Sequence, residues 1–348
     1  MQNVVQLQTT ARERAFIGGQ QADTQATPDL PWEVERDVIR GRTFDRSGKF
    51  MPDGLTQVSR LDFLQPHERT LVSQIQGRTY ANTFRLFERS IGANMLELSR
   101  SHLLGDQEAL DSLVRCTQDE LKHQALFSRI DQMMAGAMPQ GYRFAARPND
   151  FAWMVLGRSR WSVLALTHML ELVTQSHYEE SIGPEPTLAQ LYKDVLEFHW
   201  RDEERHAAVT EREWRAEDAR LSAKERDRAV DEFLEVLRAI NMMLQRQATA
   251  DAQYFLRMIK RSLSPLDAGR VEAVFIHAYR WQFVLSGVQH EGFADLLAEL
   301  ISEEQGVRIA AGLLPLAASP QPRELKARGS AAADPREPKA RGPAREEA

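Results

Sequence analysis

Apolar residues recur along most of the chain at mixed three- and four-residue intervals, which is the spacing of one buried face of an α-helix. Proline, which is excluded from helix interiors, leaves long free stretches such as the one between Pro66 and Pro139. Leu, Ala, Glu, Arg and Gln dominate these stretches, and no segment alternates apolar and polar residues as a half-buried strand would. The pattern predicts an all-α fold.

Helix-ending and helix-capping residues divide the proline-free stretches further. The signals are Gly105-Asp106, Gly183-Pro184, Thr187 with Gln190, Ser222 with Glu225, and Ser264-Pro265. Together they predict six long helices. The predicted helices are 66–104, 106–135, 150–182, 187–219, 223–262 and 265–302.

The two ends of the chain differ in composition from its helical middle. Residues 1–65 are interrupted by proline, glycine and aspartate, and we expect an irregular N-terminal arm that wraps the helices. Residues 66–310 predict one helical domain, of which 66–219 holds the candidate chemistry. Residues 317–348 combine proline, alanine and mixed charge, which cannot bury a core, and predict a disordered tail.

Charge and cysteine content narrow the classes of function. The chain has 348 residues with 44 Lys+Arg against 50 Asp+Glu, and a net charge of −6 offers no basic face for nucleic acid. Cys116 is the single cysteine, so no internal disulfide can form. Residues 1–20 lack the apolar run of a signal peptide, and the apolar stretch 309–318 is too short to span a membrane. We expect a cytoplasmic protein with no nucleic-acid or membrane partner.

Two copies of Glu-x-x-His stand out in the sequence, Glu120-x-x-His123 and Glu203-x-x-His206. At this spacing a carboxylate and an imidazole lie one turn apart on the same face of a helix. A single copy carries little information, because about one acid-x-x-His match is expected by chance in such a chain.

The spacing between the two copies carries more information than either copy. Each copy is preceded by a glutamate at the same separation, Glu88 before Glu120 and Glu171 before Glu203, so the second set repeats the first at one constant offset along the chain. Glu88 and Glu120 also lie at similar separations on either side of Gly105, so a helical hairpin places both at nearly the same height. Two such hairpins would direct four glutamates and two histidines to one spot.

Four carboxylates in a helical core require compensating positive charge, which two divalent metal ions would supply. This pattern resembles the ferritin-like di-iron carboxylate proteins, in which two helices give a Glu each and two others give Glu-x-x-His. The resemblance covers roughly residues 66–219 and implies a ferritin-like four-helix bundle, here with two additional long helices. It implies two iron ions, or a manganese/iron pair, bound by Glu88, Glu120, His123, Glu171, Glu203 and His206. The alternative is that these side chains are solvated faces of long helices.

An aspartate directly precedes each motif glutamate. By the same resemblance, Asp119 would accept a hydrogen bond from His206 and Asp202 from His123, which fixes the tautomer of each ligand histidine. The alternative for both is an exposed acid next to a buried one.

Three further residues lie close to the motif. The string His199-x-x-x-Glu203-x-x-His206 resembles the extended motif of the di-iron arylamine N-oxygenases, in which the extra histidine is a third imidazole ligand. His199 could also lie just outside the ligands. We expect His168 to lie at the same height in the bundle as the ligands, either as a packing residue or as a neighbour of the ligands. Thr174 resembles the threonine that oxygen-activating relatives hold near the metals, although an ordinary helical threonine fits equally.

Three functions remain open from the sequence. The first is an oxidoreductase in which two iron ions activate dioxygen to oxidise a small organic or acyl substrate, as an N-oxygenase or hydroxylase does, with electrons from an unidentified donor. The second is ferritin- or rubrerythrin-like iron handling or peroxide scavenging, which the additional helices and the lone cysteine disfavour. The third is a helical interaction protein with a structural metal site, which predicts tight packing without a cavity beside the glutamates. Exposed faces of the last two helices could support a homodimer.

Overall fold

The computed structural model describes residues 32–318, so the first part of the predicted arm and residues 319–348 of the predicted tail lie outside the described residues. Within 32–318 the chain forms α-helices joined by short 3-10 and π-helical turns, and its extended pairing is limited to an isolated bridge between Lys49 and Leu188. The all-α prediction is confirmed. The helices are α1 (Asp53–Thr56), α2 (Pro66–Ser99), α3 (Gln107–Ala137), α4 (Pro148–Leu156), α5 (Arg160–His177), α6 (Gln190–Asp218), α7 (Ala223–Met258), α8 (Pro265–Arg280), α9 (Ser286–Val288), α10 (Glu291–Leu300) and α11 (Glu303–Ala317).

Several predicted caps form as expected. The Asp106 carboxylate accepts from the Ala109 amide at the start of α3, and Ser222 and Glu225 form a reciprocal capping box at the start of α7. Thr187 does not cap α6, because its hydroxyl donates to Glu185 at 2.7 Å and the helix begins only at Gln190.

Two predicted helices are interrupted. The helix expected over 150–182 breaks after α4, where the Ser159 amide donates to the Glu232 carboxylate of α7 at 2.7 Å and α5 starts afresh. The helix expected over 265–302 contains a π-helical turn, Trp281–Leu285. It ends before α10, a separate helix that buries Phe293. α11 was not predicted, although Ser302 and Gln305 give it a capping box.

Two antiparallel hairpins form the centre of the fold. α2 packs along α3, α5 packs along α6, and contacts between α3 and α6 join the two pairs. α7 covers α5 and α2, and α8 packs on α7. The pairing brings the four helices with the motif glutamates together.

The described part of the arm, residues 32–65, packs against these helices. The Ser73 hydroxyl of α2 donates to the Met51 carbonyl at 2.7 Å. A side chain at Gly77 would place its Cβ 2.5 Å from the Cβ of Phe50, so the close approach of arm and helix requires glycine there. Among the described helices, none combines the length and apolar character needed to cross a membrane.

Candidate metal centre

The hairpins bury the predicted ligands and His199 in one cluster between α2, α3, α5 and α6. Each of these residues is at most 3% exposed. Such burial excludes the alternative in which they form solvated helix faces. The residues are Glu88 on α2, Glu120 and His123 on α3, Glu171 on α5, and His199, Glu203 and His206 on α6.

Donor atoms in this cluster converge in two overlapping sets, within each of which they lie no more than 4.8 Å apart. The sets are Glu88, His123, His199 and Glu203, and Glu120, His123, Glu203 and His206. Each set offers two carboxylates and two imidazoles, and His123 and Glu203 belong to both. The cluster could hold a metal ion.

Glu171 lies beside the two sets rather than within them. The Thr210 hydroxyl donates to its Oε1 at 2.9 Å, and its Oε2 has no hydrogen-bond partner. Burial, followed by the negative charge of Glu203, raises the pKa of Glu171 to about 8. Thr210 was not recognised from the sequence, although it shares a face of α6 with Glu203 and His206.

The cluster contains an unusual number of buried polar atoms without a hydrogen-bond partner. Buried polar atoms in proteins nearly always have one, so their concentration here indicates a site for a cation. Carboxylate oxygens and imidazole nitrogens are ligands for divalent transition metals, and the residues present therefore fit such ions. The atoms are Oε2 of Glu88, both carboxylate oxygens of Glu120, Nδ1 of His123, Oε2 of Glu171, Nδ1 of His199, Oε1 of Glu203 and Nδ1 of His206.

Without a cation, protons compensate part of the charge. Burial and the neighbouring Glu88 raise the pKa of Glu120 above its ordinary value. Burial opposes ionisation of Glu203, but the positive charges of His206 and His199 lower its pKa to about 2. Burial also opposes the charged form of His199, yet Glu203 and Glu88 raise its pKa to about 9. Metal binding would therefore displace protons from the cluster.

The two aspartates of the motif lie behind the histidines, in the pairing that the resemblance implied. His123 Nε2 lies 3.1 Å from an Asp202 oxygen, and His206 Nε2 lies 3.4 Å from an Asp119 oxygen. Because an ionised carboxylate only accepts hydrogen bonds, both Nε2 atoms donate, and both Nδ1 atoms face the cluster, where each offers a lone pair to a metal ion once it has lost its proton.

Two basic residues within the motif were not recognised from the sequence. Lys122 Nζ lies 2.8 Å from Asp119 and 2.9 Å from Asp202, and Arg205 lies 2.6 Å from Asp119. The signal was present, because Lys122 and Arg205 repeat at the same offset as the ligands and directly precede His123 and His206. The Trp32 indole also donates to Asp202 at 3.0 Å, and nothing in the sequence indicated that contact.

His168 and Thr174 have their contacts outside the cluster. The His168 ring packs against Trp214 and Phe293, with centroids 6.0 and 6.4 Å away, and burial lowers its pKa to about 4. The Thr174 hydroxyl donates to the Leu170 carbonyl of its own helix at 3.2 Å. Both positions are explained by packing within the core.

Gly92 allows α2 and α3 to approach closely at the cluster. A Cβ at this position would lie 3.0 Å from the Cβ of Glu120. We expect Gly92→Ala to displace Glu120 by a few tenths of an ångström and to weaken ferrous ion binding about tenfold, as small displacements of ligands do. Gly136→Ala on α3 is the matched control, because its Cβ would meet nothing within 4 Å. Equal affinities of the two variants, measured by competition with a chelator, would contradict this role of Gly92.

Glu171 gives the metal-free protein a distinctive pH dependence. Its pKa is raised from 4.5 to about 8, so its stabilising contribution is complete below pH 4.5 and is lost as the pH rises through 8. Glu171→Gln removes this loss, and we expect the metal-free variant to be about 1–2 kcal/mol more stable than the wild type at pH 8, but not at pH 4.5. Urea unfolding at both pH values measures the difference. A stability difference independent of pH would show that Glu171 ionises normally.

Over residues 32–318, the fold and the cluster define an all-helical structure with a buried carboxylate–imidazole site that could hold a metal ion. No protein family, curated protein or solved structure matches the chain.

Proposed function

We propose that the protein is a ferritin-like di-iron carboxylate enzyme that uses dioxygen to oxidise a small organic or acyl substrate. The observation that carries the proposal is the pair of overlapping donor sets, each with two carboxylates and two imidazoles, that share His123 and Glu203. A carboxylate such as Glu203 can bind two ions held close together, whereas His123, with one free ring nitrogen, binds one ion or the other. A small-molecule substrate, an electron donor and the predicted homodimer belong to the same proposal.

Iron bound by these residues would supply the redox chemistry by which dioxygen is activated. Glu88 and His199 would hold one ion and Glu120 and His206 the other. Glu203 is available to both ions, and His123 to either of them through Nδ1. Glu171, with one unpartnered oxygen beside Glu203, is a further carboxylate available after it loses its proton.

The residues around the ligands have separate tasks in this proposal. Asp119 and Asp202 keep the Nε2 protons on His206 and His123. Phe84 and Phe127 pack edge-on against the His199 ring, at centroid distances of 5.6 and 4.9 Å, and exclude water from that side of the site. A water-poor site strengthens the electrostatic interactions between the ligands and a cation.

Tight packing favours a second candidate function, in which the metal site is structural. A small cavity between α2, α4 and α5, next to Glu88 along α2, has a volume of only about 10 Å³. That volume is about the size needed for one water molecule and cannot hold a substrate. A purely structural site predicts that metal stabilises the helices and that the loaded protein does not consume oxygen.

The two functions differ in the reaction of the loaded protein with oxygen. The test loads the full chain anaerobically with ferrous ions, removes excess metal, and records oxygen uptake and visible absorption on mixing with air. We expect about two irons per chain and rapid oxygen uptake, with neither in a Glu120→Ala variant. Tight iron binding without oxygen uptake would support the structural site. Continued accumulation of iron far beyond two per chain would support iron storage, and rapid consumption of added peroxide would support scavenging.

A further inference from the structure

A layer of partly exposed charged side chains lies behind the ligand histidines, between α3 and α6. It consists of Asp119 and Lys122 on α3 and Asp202 and Arg205 on α6, with Trp32 of the arm in contact with it. The four charged side chains are between 11% and 36% exposed. Two carboxylates and two cations make this charged layer neutral as a whole.

One oxygen of Asp202 faces three donors at once. Its Oδ2 lies 2.9 Å from Lys122 Nζ, 3.0 Å from Trp32 Nε1 and 3.1 Å from His123 Nε2. A carboxylate has about two lone-pair sites on each oxygen, so the three donors compete. The imidazole makes the longest of the three contacts, and the hydrogen bond between His123 and its aspartate is therefore weaker than it would be without Lys122.

The other aspartate is held in the same way. Asp119 Oδ2 lies 2.6 Å from the Arg205 guanidinium and 3.4 Å from His206 Nε2. The second oxygen of Asp119 lies 2.8 Å from Lys122 Nζ. Here too the cations make the shorter contacts, and the histidine makes the longest one.

The competition has a chemical consequence for the ligands. A carboxylate that accepts the Nε2 proton of a histidine makes the other ring nitrogen a stronger ligand. A cation on the same carboxylate reduces this effect, because it attracts the negative charge that the imidazole would otherwise share. The charged layer thus limits how strongly His123 and His206 donate electrons to a metal ion.

Lys122 has a distinct place in the layer, because its ammonium group contacts both aspartates at short distance. Its Nζ also lies 4.2 Å from the centre of the Trp32 ring, a cation–π contact. Contacts on three sides order a side chain that is otherwise flexible. One fixed positive charge therefore acts on the supports of both ligand histidines.

We infer that Lys122 is a positioning residue that weakens electron donation by both histidines and thereby raises the reduction potential of bound iron. Oxidation of a ferrous ion releases one electron and adds one positive charge to the site, and a fixed ammonium group opposes that added charge. This inference rests on the proposed function, because it concerns iron that changes its oxidation state. The competing interpretation is that Lys122 only holds α3 against α6.

The test is an anaerobic redox titration of the iron-loaded full chain, with mediators that set the solution potential and Mössbauer spectra that measure ferrous and ferric iron. At a fixed potential, we expect Lys122→Met to raise the ratio of ferric to ferrous iron about tenfold, since partial exposure screens part of the charge effect. Lys122→Arg keeps the charge and should stay near the wild-type ratio.

Lys49 provides a matched control. Its side chain is 27% exposed, against 23% for Lys122, and it pairs with Asp53 at 2.8 Å, outside the metal cluster. Lys49→Met removes the same charge from the protein and should leave the ratio of ferric to ferrous iron unchanged.

Zinc-loaded protein gives a second measurement that involves no change of oxidation state. In Lys122→Met, the Nε2 protons of His123 and His206 should move downfield in the NMR spectrum, because both hydrogen bonds to the aspartates become stronger. We expect no such shift in Lys49→Met. A role limited to holding the helices together predicts weaker metal binding without this signature.

The outcomes separate this inference from the proposed function. If the redox titration and the NMR shifts follow the expectation but the iron-loaded protein takes up no oxygen, the proposed function fails and the role of Lys122 stands. An unchanged or lower ferric ratio in Lys122→Met, an equal rise in Lys49→Met, or unshifted Nε2 protons would overturn the inference. Absence of bound metal in the wild type would overturn both.

Discussion

The Glu203→Ala protein should lose both of the metal ions that we expect per chain, whereas His199→Ala should lose only one. The reason is geometric: Glu203 belongs to both sets of converging donors, and His199 belongs only to the set that contains Glu88. Removing a ligand shared by two ions weakens both sites. In the His199 variant, the set that contains Glu120 and His206 keeps its four donors. Metal analysis after anaerobic ferrous loading and desalting measures the two stoichiometries.

The neighbouring residue Glu204 provides a matched control for Glu203. It carries the same charge on the same helix, but it is exposed. We expect Glu204→Ala to bind as much iron as the wild type. If Glu203→Ala kept one tightly bound ion, or if His199→Ala lost both, the assignment of shared and separate ligands would be wrong.

Metal removal should lower the thermal stability of the protein by about 10 °C. A ligand at a thousand times its dissociation constant stabilises the native state by about 4.1 kcal/mol. In a domain of this size each kcal/mol changes the midpoint by about 2–4 °C. The effect is expected because the metal-free cluster leaves carboxylate oxygens and imidazole nitrogens buried without partners.

Scanning calorimetry of the iron-loaded and chelator-treated protein measures this shift. Glu203→Ala is the control, because a protein without metal should show the same midpoint with and without chelator. An unchanged midpoint in the wild type would mean that the buried cluster is stable without a cation. It would contradict the interpretation that the unpartnered atoms of the cluster mark a cation site.

The helical pattern of the sequence predicted both hairpins because local signals determine helices and turns. The break after α4 could not be predicted in the same way. It depends on a hydrogen bond from the Ser159 amide to Glu232, which lies 73 residues away. The π-helical turn Trp281–Leu285 likewise gave no local signal. Contacts distant in sequence overrode helix propensity at both places.

Much of the cluster was visible in the sequence because its residues repeat at one fixed offset, which relates Glu88 to Glu171 and His123 to His206 alike. The same offset connects Lys122 with Arg205, which contact the aspartates behind the histidines. Trp32 could not have been found, since it reaches Asp202 across 170 residues of chain. The repeat identified residues that occur at matching positions in the two hairpins. A residue of the arm, such as Trp32, could be identified only from the structure.

The position of bound metal tests the central claim most directly. Crystals of the iron-loaded full chain, measured at wavelengths on either side of the iron absorption edge, would locate the ions without reference to activity. We predict two anomalous peaks inside the buried cluster, one at the set that contains Glu88 and His199 and one at the set that contains Glu120 and His206. Iron bound only at surface carboxylates, with the cluster empty in crystals grown from saturating ferrous ion, would contradict the account.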